Sequence, residues 1–131
     1  MIWIAALLVL ILAGVFLSRR SGLESTDGIS PEELRERMKT GPVPVIVDVR
    51  TPAEFQGPLN RIAGAISLPL ADLDAKPDRL VKYRDRDLVV VCLSGARSRK
   101  AAEILSSRGF RVKNLTGGLN AWNRLGFTMA R

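Results

Sequence analysis

Histidine is absent from this chain, and cysteine occurs once, at Cys92. Those two scarcities exclude a good deal. One thiol cannot close a disulfide within the chain, and one Cys without His cannot build a usual zinc site. A Cys-His pair, in which an imidazole takes the thiol proton, is impossible too. A reactive Cys92 therefore needs activation from backbone dipoles and nearby cations. The 20 Lys and Arg exceed the 13 Asp and Glu, for a net charge of +7, yet there is no Lys/Arg-rich block and no alternation of aromatic with basic residues. That argues against a nucleic-acid partner. The excess charge reads as a solvated surface that favours anionic substrates or lipid headgroups. No nucleotide-binding glycine pattern is present, and no cofactor or metal is implied.

Charge is also missing from residues 2–17, where only Gly14 interrupts the apolar side chains. With Met1 and Ser18 this run would reach about 27 Å as a helix, close to the ~30 Å hydrocarbon core of a bilayer. A cleaved signal peptide is the competing reading, but no Lys or Arg precedes the run and no small-x-small cleavage site follows it. Residues 1–20 are therefore expected to form a single transmembrane anchor that meets the lipid bilayer through residues 2–18. Arg19 and Arg20 follow it, so the positive-inside rule places the rest of the chain in the cytoplasm. A lone free thiol suits that reducing compartment. Residues 21–28, Ser-Gly-Leu-Glu-Ser-Thr-Asp-Gly, read as a flexible tether, and residues 29–131 are enough for one core but not two.

Within that domain helical and strand signals alternate, the pattern of an α/β fold with a largely parallel sheet. Ser30-Pro31-Glu32-Glu33 opens a helix with a capping Ser, Pro at the first helical position and Glu three residues after the cap. Val43 to Val49 reads as a buried strand with Pro44 tolerated near its start. Thr51-Pro52-Ala53-Glu54 repeats the capping grammar, so a short second helix follows Arg50, with Glu54 able to pair with a neighbouring Arg. Ala65 to Leu68 is a short strand stopped by Pro69, and Asp72 to Arg84 holds one or two short helices. Leu88 to Cys92 is the central strand, Ser98 to Ser107 a helix with Ala101, Ala102 and Leu105 inward, and Val112 to Leu115 another strand. Gly117 and Gly118 mark a turn that needs positive φ or close backbone approach, and lead into a last helix in which Trp122 is core.

A lone cysteine ending an apolar strand is commonly a small buried hydrophobe. The residues that follow Cys92 point elsewhere. Leu93-Ser94-Gly95-Ala96-Arg97-Ser98 is poor core material, whereas successive backbone N–H groups in such a loop make a concave anion site at the head of a helix. Asp48 also ends a strand, so both motifs should face the C-terminal edge of one sheet, where open α/β folds place their sites. Asp48 and Arg50 read as supporting residues that organise the loop region through buried hydrogen bonds, since a charge there must be paired.

Four blocks of the chain resemble the rhodanese family of single-domain sulfurtransferases. They are Asp48-Val49-Arg50 with Glu54-Phe55; Ile62-Ala63-Gly64-Ala65 leading to Leu68-Pro69; Cys92 through Ser98; and Leu115-Thr116-Gly117-Gly118 through Trp122. The resemblance implies a five-stranded parallel sheet flanked by helices, with the Cys loop wrapped around a sulfur atom. It also implies double displacement: Cys92 takes sulfane sulfur from thiosulfate or a protein persulfide and passes it to a thiol or cyanide. The backbone N–H groups of Leu93, Ser94, Gly95, Ala96 and Arg97 would stabilise the persulfide anion, while Arg97 either binds the donor's anionic group or braces the loop. Where the family often has Gly-His-Ile, this chain has Asn60-Arg61-Ile62, which makes the pocket rim more cationic.

Two alternatives are distinguishable from the sequence. Phosphatases of the same fold use Cys-x5-Arg, and the spacing from Cys92 to Arg97 is one residue shorter, too tight to position a tetrahedral phosphoryl group. A membrane-tethered binding or scaffold module with little catalysis is the second, and such a domain would be expected to lose the Cys or Arg that this chain keeps.

Overall fold

The computed structural model describes residues 28–58 and 61–127. Ser30 caps the first helix, its side chain accepting from the Glu33 N–H at 3.1 Å, and α1 (Pro31–Thr40) buries Pro31 and Leu34. The β2 strand (Val45–Asp48) is buried along its whole length and follows a two-residue β1 (Gly28–Ile29) in chain order. It starts later than the apolar run suggested, because Val43 is exposed and Pro44 intervenes. Thr51 and Glu54 then close a full capping box at the head of α2 (Pro52–Gln56).

The β3 strand (Ile66–Ser67) is followed by two 3-10 helices, Leu70–Asp72 and Pro77–Tyr83, in the region where short helices were expected. The central β4 (Asp87–Val91) leads through the Cys92 loop into α3 (Ala96–Ser107). This helix begins two residues earlier than the sequence suggested, which puts Arg97 in its first turn. The β5 strand (Arg111–Leu115) and α4 (Gly118–Arg124) complete the domain.

All five strands are parallel, in the order β1-β5-β4-β2-β3. The β4 strand is buried on both faces, which is why its sequence is a continuous apolar run rather than an alternation. Val89 and Val91 join Leu34, Leu119 and Trp122 on one side, while Leu88, Val90 and Cys92 join Ala101, Ala102 and Leu105 on the other. Period-two alternation thus aims Cys92 at the α3 side of the sheet. In register, Asp48 lies beside Val91 and Val90 beside Asn114, so β2, β4 and β5 bring their C-terminal ends together.

One expectation is corrected here. Gly28, read as the last residue of the tether, pairs with Asn114, and the edge strand β1 was not foreseen. Among the described residues no helix is long and apolar enough to cross a membrane. The expected anchor, residues 1–20, and residues 21–27 of the expected tether lie outside the described residues.

Candidate active site

Cys92 follows the last residue of β4 and is 1% exposed. Gly95, the residue before α3, has φ of 106°, a conformation that side-chain-bearing residues rarely adopt. That turn folds the chain back over the sulfur. The Gly95 N–H donates to Cys92 Sγ at 3.0 Å, the Ser98 N–H approaches at 3.4 Å, and the Ser98 hydroxyl lies at 3.2 Å. Burial by itself pushes the Cys92 thiol up. The Ser98 hydroxyl and the Ser98, Gly95 and Ser94 backbone outweigh it, so the net shift is below the ordinary thiol value.

The outer side of the loop is held by α4. The Leu119 N–H donates to Cys92 O at 2.9 Å and the Asn120 N–H to Leu93 O at 3.0 Å. Because a trans peptide points its N–H opposite to its C=O, these bonds turn the Leu93 and Ser94 amides away from α4. Close approach is what makes this possible. A Cβ on Gly118, whose φ is 60°, would lie 2.5 Å from Cys92 O and 2.6 Å from Leu93 O. The glycine pair flagged in the sequence thus serves the Cys loop directly. Gly118→Ala is expected to cost about 1–3 kcal/mol and to slow Cys92 alkylation by displacing the loop. A thermal melt and an iodoacetamide rate together check this, and an unchanged rate would break the link between Gly118 and the loop.

Arg97 reaches back across the loop to α2. Its Nη1 and Nη2 donate to the two carboxylate oxygens of Glu54 at 2.6 and 2.9 Å. Glu54 also accepts from the Thr51 N–H and hydroxyl, at 3.3 and 3.1 Å, as part of the capping box. The bonds from Arg97, with smaller help from Thr51, overcome burial and hold the Glu54 carboxyl at about 2 instead of 4.5. The same pair raises Arg97. Both of the expected roles for Arg97 were open, and the guanidinium is seen in the bracing one.

A carboxyl depressed on folding stabilises the fold fully above its unfolded value and loses that contribution as pH falls through its folded value. Here the window runs from 4.5 down to about 2. The two side chains are 38% and 32% exposed, so solvent screening limits the pair to about 1 kcal/mol. Glu54→Gln should therefore be slightly less stable than wild type at neutral pH and converge with it across that acid window. Urea unfolding at a series of pH values checks this, and a gap as large at pH 2 as at neutral pH would refute the assignment.

Behind the loop lies the Asp48-Arg50 pair, 0% and 1% exposed. The Arg50 N–H donates to Asp48 Oδ1 at 3.0 Å, and its guanidinium spans both carboxylate oxygens at 2.9 to 3.1 Å. As expected from the sequence, both charges are internal and paired.

Among the loop residues named from the sequence, Leu93 is half-buried, while Ser94 and Ala96 are exposed, so they contribute backbone rather than side chain to the core of the site. One partner was missed. Asn114, in β5, accepts from the Ser98 hydroxyl at 2.5 Å and donates through Nδ2 to Gly95 O at 3.1 Å. A polar residue inside a short buried strand was the available signal, and the strand reading passed over it. Two open cavities flank the loop. One, of about 470 Å³, is walled by Val49, Leu70 and Ile104 with Arg97 and Lys100. The other, of about 380 Å³, is lined by Gly95, Asn114 and Arg99 among others.

Comparison with known proteins agrees with this geometry. The family model described as a rhodanese-like domain matches residues 30–125. A sulfurtransferase from Allochromatium vinosum is 41% identical over 100 residues, covering 75% of this chain and 89% of that protein. A thiosulfate sulfurtransferase from Pseudomonas savastanoi pv. phaseolicola is 37% identical over 98 residues, covering 72% and 84%. Among solved structures, a rhodanese-related protein from Thermoplasma volcanium superposes with a TM-score of 0.70 at 30% identity, covering 79% of this chain and 97% of that one.

Proposed function

The chain belongs to the rhodanese-like domain family, and on that premise we propose that it is a sulfurtransferase which carries sulfane sulfur on Cys92. The observation that carries the reading is the polar shell around Sγ: two backbone N–H donors and the Ser98 hydroxyl within hydrogen-bond reach, with the thiol held low and no imidazole in the chain. The proposed donor is thiosulfate or a protein persulfide and the proposed acceptor a thiol or cyanide; thiosulfate is the substrate that names two relatives of this chain.

In the first half-reaction the Cys92 thiolate attacks the outer sulfur of the donor. A new S–S bond forms, the donor's own bond to that sulfur breaks, and the leaving group departs with the electron pair, as sulfite when the donor is thiosulfate. The charge then sits on the outer sulfur of the persulfide, where preorganised backbone N–H groups stabilise it without reorganising, as in an oxyanion hole. An acceptor thiolate or cyanide attacks the same sulfur and returns Cys92 as thiolate. Arg97, held by Glu54, keeps the loop closed at the smaller Cys-x4-Arg radius.

The test is intact mass after incubation with thiosulfate, and separately with a protein persulfide. A gain of ~32 Da, one sulfur atom, that cyanide removes is expected. No adduct from either donor would overturn sulfur transfer and favour a binding module. We propose further that residues 1–20 anchor the domain on the cytoplasmic side of a membrane, a reading supported by the uncharged run and by Arg19 and Arg20. Full-length protein should then fractionate with membranes and a chain lacking residues 1–20 should not. Equal distribution of the two would refute the anchor.

A further inference from the structure

We propose that Asn114 is a positioning residue for Cys92: it competes with the sulfur for the single proton of the Ser98 hydroxyl. The inference rests on Cys92 being the nucleophile of the proposed sulfur transfer, and it concerns how readily that nucleophile ionises.

The orientation of the Asn114 amide is forced by its neighbours. Gly95 O is a carbonyl and can only accept, so the group 3.1 Å from it must be Nδ2. Oδ1 therefore faces Ser98 Oγ, and two oxygens 2.5 Å apart need a hydrogen between them. Asn114 has none to offer from Oδ1. The proton is the serine's, and a hydroxyl has only one; Gly95 O, 3.2 Å from Ser98 Oγ, is a more distant acceptor than Asn114 Oδ1 and is already served by Nδ2.

With that proton on Asn114, Ser98 Oγ turns a lone pair toward Cys92 Sγ, 3.2 Å away. This arrangement suits the thiol, whose S–H donates to Ser98. It suits the persulfide too, since Sγ is then neutral and the charge lies on the outer sulfur. It does not suit the free thiolate. To stabilise S⁻, Ser98 must rotate its proton onto the sulfur, leaving two lone-pair oxygens facing each other at the Asn114 contact. Asn114 thus raises the energy of the thiolate relative to both its neighbours in the cycle. A less stabilised thiolate is also a stronger nucleophile, because nucleophilicity falls as thiol pKa falls.

Charged groups around Cys92 do not substitute for this competition. Arg97 approaches from α3 and interacts with both Cys92 and Asp48, but its guanidinium is bound to Glu54. Asp48 and Arg50, from the end of β2, are bound to each other. All of these are unchanged in a comparison of Asn114 and Ser98 variants.

The experiment is the pH dependence of iodoacetamide alkylation, which reads one site because the chain has one cysteine. In Asn114→Ala the midpoint should move to lower pH, and the rate at about pH 6 should rise about two- to threefold, because one hydrogen bond raises the thiolate fraction about fivefold while the lower thiol pKa makes each thiolate about twofold less nucleophilic. Ser98→Ala should move the midpoint up, and the double variant should match Ser98→Ala. An unchanged or higher midpoint in Asn114→Ala overturns the proposal, as does an equal downward shift when Ser98 is already absent. Should a melt show Asn114→Ala unfolded, Asn114→Val fills the strand position and is read in the same way. Alkylation needs no sulfur donor, so a negative result here is separable from a failure of the persulfide to form.

Discussion

Arg50→Met is expected to remove a large share of the domain's stability. The guanidinium is fully buried against Asp48, so its removal strands a carboxylate in the interior. Breaking such a pair from one side costs about 3–5 kcal/mol, a large share of the ~5–15 kcal/mol that holds a typical domain together. The double replacement Asp48→Leu/Arg50→Met removes both charges and should cost less than the single one. Urea midpoints of the three proteins check this ordering. A single variant within about 1 kcal/mol of wild type would mean that the pair is solvated rather than buried. Because Asp48 lies beside Val91 in register, one residue before Cys92, partial unfolding here should also raise the accessibility of the thiol.

Cys92→Ser should abolish thiocyanate production from thiosulfate and cyanide while leaving the fold intact. A serine hydroxyl ionises far too weakly to attack a sulfane sulfur at neutral pH, and no imidazole exists to take its proton. Its oxygen can still accept from the Gly95 and Ser98 N–H groups, so no buried donor is orphaned and stability should stay within about 1 kcal/mol of wild type. Residual turnover above the uncatalysed rate would assign the chemistry to some other group. Loss of activity together with loss of the melt would leave a structural cysteine instead of a catalytic one.

Several parts of the fold and of the site are legible in the sequence. The capping grammar of Ser30 and Thr51 worked because a side chain meets a backbone N–H only three residues away, with nothing distant involved. The burial of β4 on both faces was readable because a parallel strand between two layers has no solvent side to mark with polar residues. Gly117 and Gly118 were recognised as a turn needing unusual backbone. What that turn accommodates, the carbonyls of Cys92 and Leu93, was not readable, since those atoms lie some 25 residues earlier in the chain.

By itself the sequence determined the one thiol available as a candidate nucleophile, the alternating α/β order and the placement of two strand ends at one edge of the sheet. All three are written in local periodicity and in the residue types of a single loop. Only the tertiary structure decided that Gly28 and Ile29 form an edge strand, because two residues carry no pattern of their own and acquire strand geometry by pairing with β5. It also decided that Arg97 is spent on Glu54, 43 positions away, and that Asn114 claims the Ser98 proton from 16 positions away. Such contacts depend on which surfaces the sheet order brings together. A polar side chain in a sequence shows that it needs a partner, and the fold chooses which one.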